Sequence, residues 1–160
     1  MNLDVLLASV TAEIQETGIP TSQKIDPHVR INSRAVRRFG RCIREGDRYC
    51  IELSARLLSG PESACRTVLA HELLHTCAGC MNHGTRWKRY AARIQAALGY
   101  EVTRSATDTA LGTEPPAAKY QIICSSCGRV LLRYRASPLT RNPERYRCRC
   151  GGTLFLKEGA

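Results

Sequence analysis

The chain has 160 residues and a formal net charge of +10, with 24 Lys and Arg against 14 Asp and Glu. This length suits one domain of ordinary size, or a domain of about 115 residues with a small appendage. The sequence contains no apolar run of about 18 residues and no N-terminal signal-peptide pattern. We therefore expect no membrane span and a cytoplasmic protein.

The nine cysteines include close pairs. Cytoplasmic thiols are kept reduced, so an odd number with close pairs indicates metal ligands plus spare core thiols. Three cysteines have no ligand spacing and are interpreted as small buried apolar residues: Cys42, Cys50 and Cys65.

Positive charge is concentrated in three blocks, with +5 over residues 29–50, +4 over 76–100 and +6 over 120–160. Most of it is arginine, whose planar guanidinium suits phosphate, so we expect contact with nucleic acid. The alternative is a basic surface that only keeps the protein soluble.

The first predicted element is a helix, because apolar residues recur at helical spacing from Leu3 to Ile14 and Gly18 stops the pattern. Three short strands are predicted next: residues 28–32, 41–44 and 49–53. A basic run, residues 34–41, lies between the first two strands. It is compatible both with a solvated edge and with a rim that contacts phosphate.

A second helix is predicted to begin near Glu62, where Ser59 and Glu62 fit a capping box. It carries His-Glu-Leu-Leu-His at residues 71–75. On a helix the two histidines lie about 40° apart, so both imidazoles can reach one metal ion. Glu72 then lies beside the metal, where its carboxylate can take a proton from an activated water.

Catalytic zinc usually has three protein ligands, so a third is needed. Glu101 lies past the end of the next predicted helix and is poorly placed. The longer H-E-x-x-H-x-x-G-x-x-H pattern fails, since Ala78 and Met81 occupy its glycine and third-histidine positions. His83 remains, at the start of a helix that ends at Gly99. The fourth histidine, His28, is interpreted as structural or exposed.

The C-terminal part carries Cys124-Ser-Ser-Cys127 and Cys148-Arg-Cys150 among short strand-like stretches. Four thiolates on two turns are typical of a zinc ribbon, which at this size needs its metal. A redox disulfide is the alternative. The ribbon also holds arginines with Tyr134 and Tyr146 among them, and these tyrosines suit either base stacking or the ribbon core.

These features resemble the SprT-like family of zinc metallopeptidases, which includes Spartan-type proteases that degrade proteins covalently trapped on DNA. The resemblance spans roughly residues 25–157 and depends on the strands, the three-histidine spacing, the helix after His83 and the C-terminal cysteines. It implies His71, His75 and His83 as ligands of a catalytic zinc, and Glu72 as the acid/base. The pair Cys77 and Cys80 departs from the pattern. It is compatible with a second ion, with redox control or, as we prefer, with lining of the loop.

We predict an α+β fold in three parts. Residues 1–100 form a small zincin-like metalloprotease domain with helices packed on a short sheet. Residues 101–119 are small, polar and proline-bearing and form a linker. Residues 120–160 form a β zinc ribbon whose structural zinc is bound by four cysteines: Cys124, Cys127, Cys148 and Cys150.

The predicted function is that of a monomeric zinc endopeptidase with one catalytic and one structural zinc ion, acting on DNA-bound or DNA-crosslinked proteins. Single-stranded or junction DNA is a possible partner, with a location at the nucleoid in a prokaryote or phage. The alternatives are a general zinc peptidase and a non-enzymatic, zinc-stabilised DNA-binding or transcription-associated module. The candidate nucleic-acid contacts are Arg34, Arg37, Arg38, Arg133, Arg135 and Arg147.

Overall fold

A computed structural model describes residues 1–157 and divides the chain into two compact units, residues 1–114 and 115–160. The last three residues of the predicted ribbon lie outside the described residues. The described part contains five α-helices and two three-stranded sheets, which confirms a mixed α+β protein. None of these helices is long and apolar enough to cross a membrane.

The first unit contains one sheet and four helices. Its strands are ordered β1-β3-β2, with β1 parallel and β2 antiparallel to β3, so β2 is an edge strand. All three predicted strands are present. The elements are α1 (Leu3–Glu16), β1 (Arg30–Asn32), β2 (Gly40–Glu45), β3 (Arg48–Ser54), a 3-10 helix (Ala55–Ser59), α2 (Glu62–Leu74), α3 (Thr85–Leu98) and α4 (Asp108–Leu111).

Helix α2 lies at the centre of this unit, in contact with α1, α3, β2 and β3. A helix surrounded in this way must be apolar over most of its circumference, and eight of its thirteen residues are buried. Glu72 is the charged member of that buried set. The His-Glu-Leu-Leu-His motif is therefore carried by the central helix of this unit.

The start of α2 differs from the capping box expected at Ser59 and Glu62. Pro61 is the residue that precedes the helix, and no side chain caps it. Ser59 instead donates its hydroxyl hydrogen bond to the carbonyl of Arg56, at 3.0 Å. That prediction is wrong because the preceding 3-10 helix takes up Ser59.

Residues 101–114, which the sequence predicted to be the first part of a linker, pack on the first unit. Val102 and Leu111 are buried in its core. Arg56 pairs with Asp108 and donates a 2.7 Å hydrogen bond to the Val36 carbonyl. Two buried apolar side chains and the ion pair with Arg56 therefore hold this segment on the first unit, although its composition is typical of a flexible linker.

The second unit is built on a small antiparallel sheet of order β5-β4-β6. Its buried core consists of Ile122, Cys124, Cys148 and Leu154, which is too little apolar burial for a unit of this size without a staple. One of the predicted strand-like stretches, residues 146–147, forms only a single bridge, between Arg147 and Thr153. The elements are β4 (Tyr120–Cys124), β5 (Val130–Arg133), α5 (Pro138–Arg141), a 3-10 helix (Pro143–Arg145) and β6 (Leu154–Leu156).

The packing of residues 101–114 predicts a difference between two leucine-to-alanine changes. Leu111 is 6% exposed and Leu58 is 47% exposed. We expect Leu111→Ala to lower the free energy of unfolding by about 2–4 kcal/mol, since it leaves a cavity. Leu58→Ala should change it by less than about 1 kcal/mol. Urea unfolding of the zinc-saturated chain, followed by fluorescence of its single tryptophan, measures both. Equally small losses would show that the segment does not pack on the core.

Candidate active site and metal sites

Three histidines converge on one point beside α2. The Nε2 atom of His71 lies 3.3 Å from Nε2 of His75 and 3.0 Å from Nε2 of His83. Two nitrogens bound to one tetrahedral zinc at about 2.0–2.1 Å would lie roughly 3.3 Å apart. The spacing between these side chains therefore matches the ligand spacing of a single zinc ion.

The opposite ring nitrogens fix the orientation of two of these imidazoles. His71 Nδ1 lies 2.9 Å from the Thr103 carbonyl and His75 Nδ1 lies 2.7 Å from the Cys80 carbonyl. A carbonyl only accepts, so each Nδ1 carries the hydrogen and each Nε2 directs a lone pair into the cluster. Facing lone pairs repel one another unless a cation lies between them. The donor set therefore fits a zinc ion.

Burial favours the neutral form of all three histidines, which is the form that binds a metal. Burial, together with the neighbouring His75 and His83, lowers the pKa of His71 to about 4. Burial also lowers the pKa of His75 and of His83.

Trp87 supports all three imidazoles from α3. Its ring is buried and its centroid lies 4.9 Å from that of His71, 6.0 Å from that of His75 and 4.6 Å from that of His83. The position of His83 is fixed by the start of the same helix, where the Asn82 side chain accepts a 3.1 Å hydrogen bond from the Gly84 amide. One aromatic ring thus limits the rotation of three candidate ligands.

Cys77 and Cys80 lie in the loop between the second and third histidines, and both are buried. Burial, together with Cys80, raises the pKa of Cys77 to about 12, so its thiol stays protonated. Neither sulfur belongs to a group of converging metal ligands in residues 1–157. These observations favour the loop-lining interpretation over a second ion.

Glu72 is buried at 6% exposure, one residue along α2 from His71. Burial raises the pKa of Glu72 to about 7. A hydrogen bond from the Cys42 backbone amide has the opposite, smaller effect. The close approach of β2 depends on Gly40, where a Cβ atom would lie 2.7 Å from the Glu72 carboxylate. A carboxyl group with a pKa near neutrality can both accept and return a proton.

A cleft of about 230 Å³ opens beside His71 and Glu72. Its walls are the beginning of β2 with the residues before it, one side of α2, and residues 101–106. Glu101, which the sequence placed poorly for the metal, lies in this wall and outside the histidine group. The segment after α3 therefore has two roles, since it bounds the cleft and supplies the carbonyl that orients His71.

The four C-terminal cysteines also converge, with all Sγ atoms within 4.8 Å of one another. Cys124 and Cys150 are 3.5 Å apart at sulfur, and Cys127 and Cys148 are 3.7 Å apart. Sulfurs bound to one tetrahedral zinc at about 2.3 Å would be roughly 3.8 Å apart, whereas a disulfide is about 2.05 Å long. The spacing fits a metal and not the disulfide alternative.

The local backbone also suits a thiolate at Cys124. The backbone amide of Cys127 lowers the pKa of Cys124 to about 6. A Cβ atom at Gly152 would lie 2.7 Å from the Cys124 sulfur, so only glycine allows this approach. Both turns therefore have the donors and the space that a structural zinc site needs.

The structure distributes the candidate nucleic-acid contacts over both units. Arg37 and Arg38 line the cleft, and Arg38 pairs with Glu52 at 2.8 Å. In the second unit, Arg133 and Arg147 donate hydrogen bonds to backbone carbonyls. Arg34 and Arg135 are exposed. His28 lies away from the histidine cluster and pairs with Asp4, with 2.9 Å between Nδ1 and the carboxylate.

Two contributors to the site are absent from the sequence predictions. Thr103 acts through its backbone carbonyl, which no side-chain pattern reveals. Gly40 acts by lacking a side chain, and its position beside Glu72 depends on how β2 packs against α2.

Two histidines one helical turn apart at the end of α2, a third from the loop before α3 and a buried glutamate form an arrangement typical of zinc-dependent peptidases. The chain belongs to the SprT-like family, whose model matches residues 7–106, more than half of its length. That membership confirms the resemblance seen in the sequence and suggests a zinc-dependent, peptidase-like function. No curated protein matches the chain.

The convergence of three histidines predicts different results for two identical substitutions. His83→Ala removes one of the three nitrogens and should reduce zinc from about two ions per chain to about one, because the remaining pair binds weakly. His28→Ala changes the exposed histidine outside the cluster and should leave the zinc content unchanged. Elemental analysis after dialysis against a weak chelator measures both. Equal zinc content in the two variants would contradict the ligand assignment.

Proposed function

We propose that this chain is a zinc-dependent endopeptidase that acts on proteins bound or crosslinked to DNA. In this proposal residues 1–114 form a zincin-like catalytic unit, with zinc held by His71, His75 and His83. Four cysteines hold a structural zinc in a C-terminal ribbon. The observation that supports the catalytic part is that buried Glu72 lines an open cleft together with His71, a member of the three-nitrogen cluster.

Zinc bound at the three histidines would polarise the substrate carbonyl and make a water molecule acidic enough to react at neutral pH. Glu72 takes the proton from the attacking water and later gives it to the leaving amine. The Cys42 amide holds the Glu72 carboxylate in place between these two transfers. The carbonyls of Thr103 and Cys80 keep His71 and His75 oriented throughout.

The charge of the second unit supports an attachment to DNA. Residues 115–160 contain nine Lys and Arg against two Glu. Such a density of arginine attracts phosphate, and the attraction weakens as salt rises. Tyr146, at 41% exposure, offers an aromatic face among these arginines.

One face of the C-terminal sheet adds a preference for single strands. Val130 and Phe155 both pair with Ile123, so the three residues share a face, and Leu132 follows on the same face. Val130, Leu132 and Phe155 are 49%, 44% and 47% exposed. A duplex hides its bases, whereas the bases of a single strand can stack on Phe155, the aromatic member of this face.

The test uses a protein crosslinked to a single-stranded oligonucleotide, the same protein crosslinked to duplex DNA, and the same protein without DNA. The zinc-loaded full chain should degrade the crosslinked forms, the single-stranded form fastest, and leave the free protein largely intact. Raising the salt concentration should reduce the difference. Equal degradation of all three substrates would indicate a general peptidase and contradict the DNA part of the proposal.

Glu72→Gln separates catalysis from metal binding. It should reduce cleavage by about 10²–10⁴-fold, because the amide cannot accept the proton, while zinc content stays the same. Glu16→Gln, an identical change on the exposed face of α1, is the matched control and should keep full activity. Cleavage by the Glu72 variant at the parent rate would contradict the mechanism.

A further inference from the structure

The side chain of Arg56 contacts both of the segments that lie on either side of the cleft, although it does not line the cleft itself. Arg56 follows β3, and its backbone amide donates a 3.3 Å hydrogen bond to the Ser54 hydroxyl. Ser54 is buried, donates a 2.7 Å hydrogen bond to the Ala35 carbonyl, and binds the Phe39 carbonyl through its amide. The backbone at Arg56 is therefore anchored close to the residues that precede β2.

On one side of the cleft, Arg56 binds the segment before β2. Its Nη1 atom donates a 2.7 Å hydrogen bond to the Val36 carbonyl. Its guanidinium also lies over the Phe39 ring, with 5.0 Å between Cζ and the ring centroid, a cation–π contact. Phe39 lines the cleft together with Arg37 and Arg38. The same cation thus holds the backbone and an aromatic side chain of this wall.

On the other side of the cleft, Arg56 binds the segment that follows α3. Its Nη2 atom pairs with Asp108 and donates a 3.1 Å hydrogen bond to the Glu114 carbonyl. The side chains of Arg56 and Asp108 are 18% and 28% exposed, so water screens this pair only in part. Asp108 lies five residues after Thr103, whose carbonyl accepts the Nδ1 hydrogen of His71. The ion pair therefore restrains the segment that orients a candidate zinc ligand.

We infer that Arg56 is a positioning residue of the zinc site, which joins the two walls of the cleft and thereby keeps the Thr103 carbonyl against His71. The inference rests on the zinc site of the proposed function and adds to it a residue from outside the histidine motif. Arginine suits this role because its planar fork offers five N–H donors, enough for two carbonyls and a carboxylate together. Lysine has the same charge but only one nitrogen, which cannot serve both walls in the same way.

His75 provides an internal comparison for this inference. Its Nδ1 atom donates to the Cys80 carbonyl, in the loop between α2 and α3. The partners of the Arg56 side chain in residues 1–157 lie at positions 36, 39, 108 and 114, and none is in that loop. Loosening the segment that carries Thr103 should therefore disturb His71 and leave His75 in place. A general loss of stability would affect both histidines alike.

The first experiment follows the Nδ1 protons of both histidines by NMR in the zinc-loaded full chain, with His71→Ala used to assign the signal of His71. Arg56→Met keeps the apolar stem and removes every donor. In this variant the His71 proton should exchange with water about tenfold faster, because its hydrogen bond opens more often, while the His75 proton is unchanged. An unchanged His71 proton, or equal acceleration of both protons, would overturn the inference.

Two further variants and a control accompany this measurement. Arg56→Lys keeps the charge next to Asp108, and Asp108→Asn weakens the same pair from the other side, so both should show a smaller acceleration confined to His71. Arg30→Met removes an arginine that pairs with Glu45 at the far edge strand, β1, and that is 45% exposed. It should change neither proton. Acceleration at His71 in Arg30→Met as large as in the Arg56 variants would overturn the inference.

The second experiment measures zinc affinity by competition with a chromophoric chelator, with His83→Ala identifying the zinc ion at the histidines. Loss of a group that orients a ligand typically lowers metal affinity by 10–100-fold. Because Arg56 acts through the Thr103 segment, Arg56→Met should weaken zinc binding at the histidines by about tenfold and leave the zinc at the cysteines unchanged. Equal affinity in the parent and in Arg56→Met would overturn the inference.

Cleavage assays distinguish this inference from the proposed function. If the parent has no Glu72-dependent cleavage but Arg56→Met selectively loses protection at His71, the peptidase proposal fails and the positioning of the metal ligand by Arg56 stands. If cleavage depends on Glu72 and the His71 proton does not respond to Arg56→Met, the peptidase proposal stands and the role of Arg56 alone is overturned.

Discussion

The organisation of the first unit depends on the convergence of three imidazole nitrogens on one point. Two carbonyls hold the Nδ1 hydrogens of His71 and His75, so both Nε2 lone pairs are directed at one small volume, which the Nε2 atom of His83 also borders. Ring rotation would separate these lone pairs, whereas a zinc ion between them would offset their repulsion. Trp87, the loop carrying Cys80 and the segment carrying Thr103 all prevent that rotation.

The same constraint explains why α2 is buried on nearly all sides. Its histidines need rigid neighbours, and Glu72 needs low exposure for a pKa near neutrality. The second unit differs, because its apolar core is small. A metal bound by its four cysteines would supply the missing stability. A metal at the histidines of the first unit would therefore act in catalysis, within a large core. A metal at the cysteines of the second unit would stabilise the fold of a small core.

The sequence revealed those parts of the site that depend on local spacing. His71 and His75 are one helical turn apart, and His83 remained after the alternatives failed. Thr103 and Gly40 were not predictable, because one acts through its backbone and the other through a missing side chain. Residues 101–114 looked like a linker because only two apolar anchors, Val102 and Leu111, hold a mainly polar segment in place.

Anomalous diffraction from crystals of the zinc-loaded protein, recorded at the zinc absorption edge, tests the central claim most directly. The account predicts a peak about 2.0–2.1 Å from Nε2 of each of the three histidines, with no fourth protein side chain bound to it. A peak bound by four protein side chains, for example with a sulfur of Cys77 or Cys80, would make this site structural. That result, or the absence of a peak at the histidines, would contradict the account.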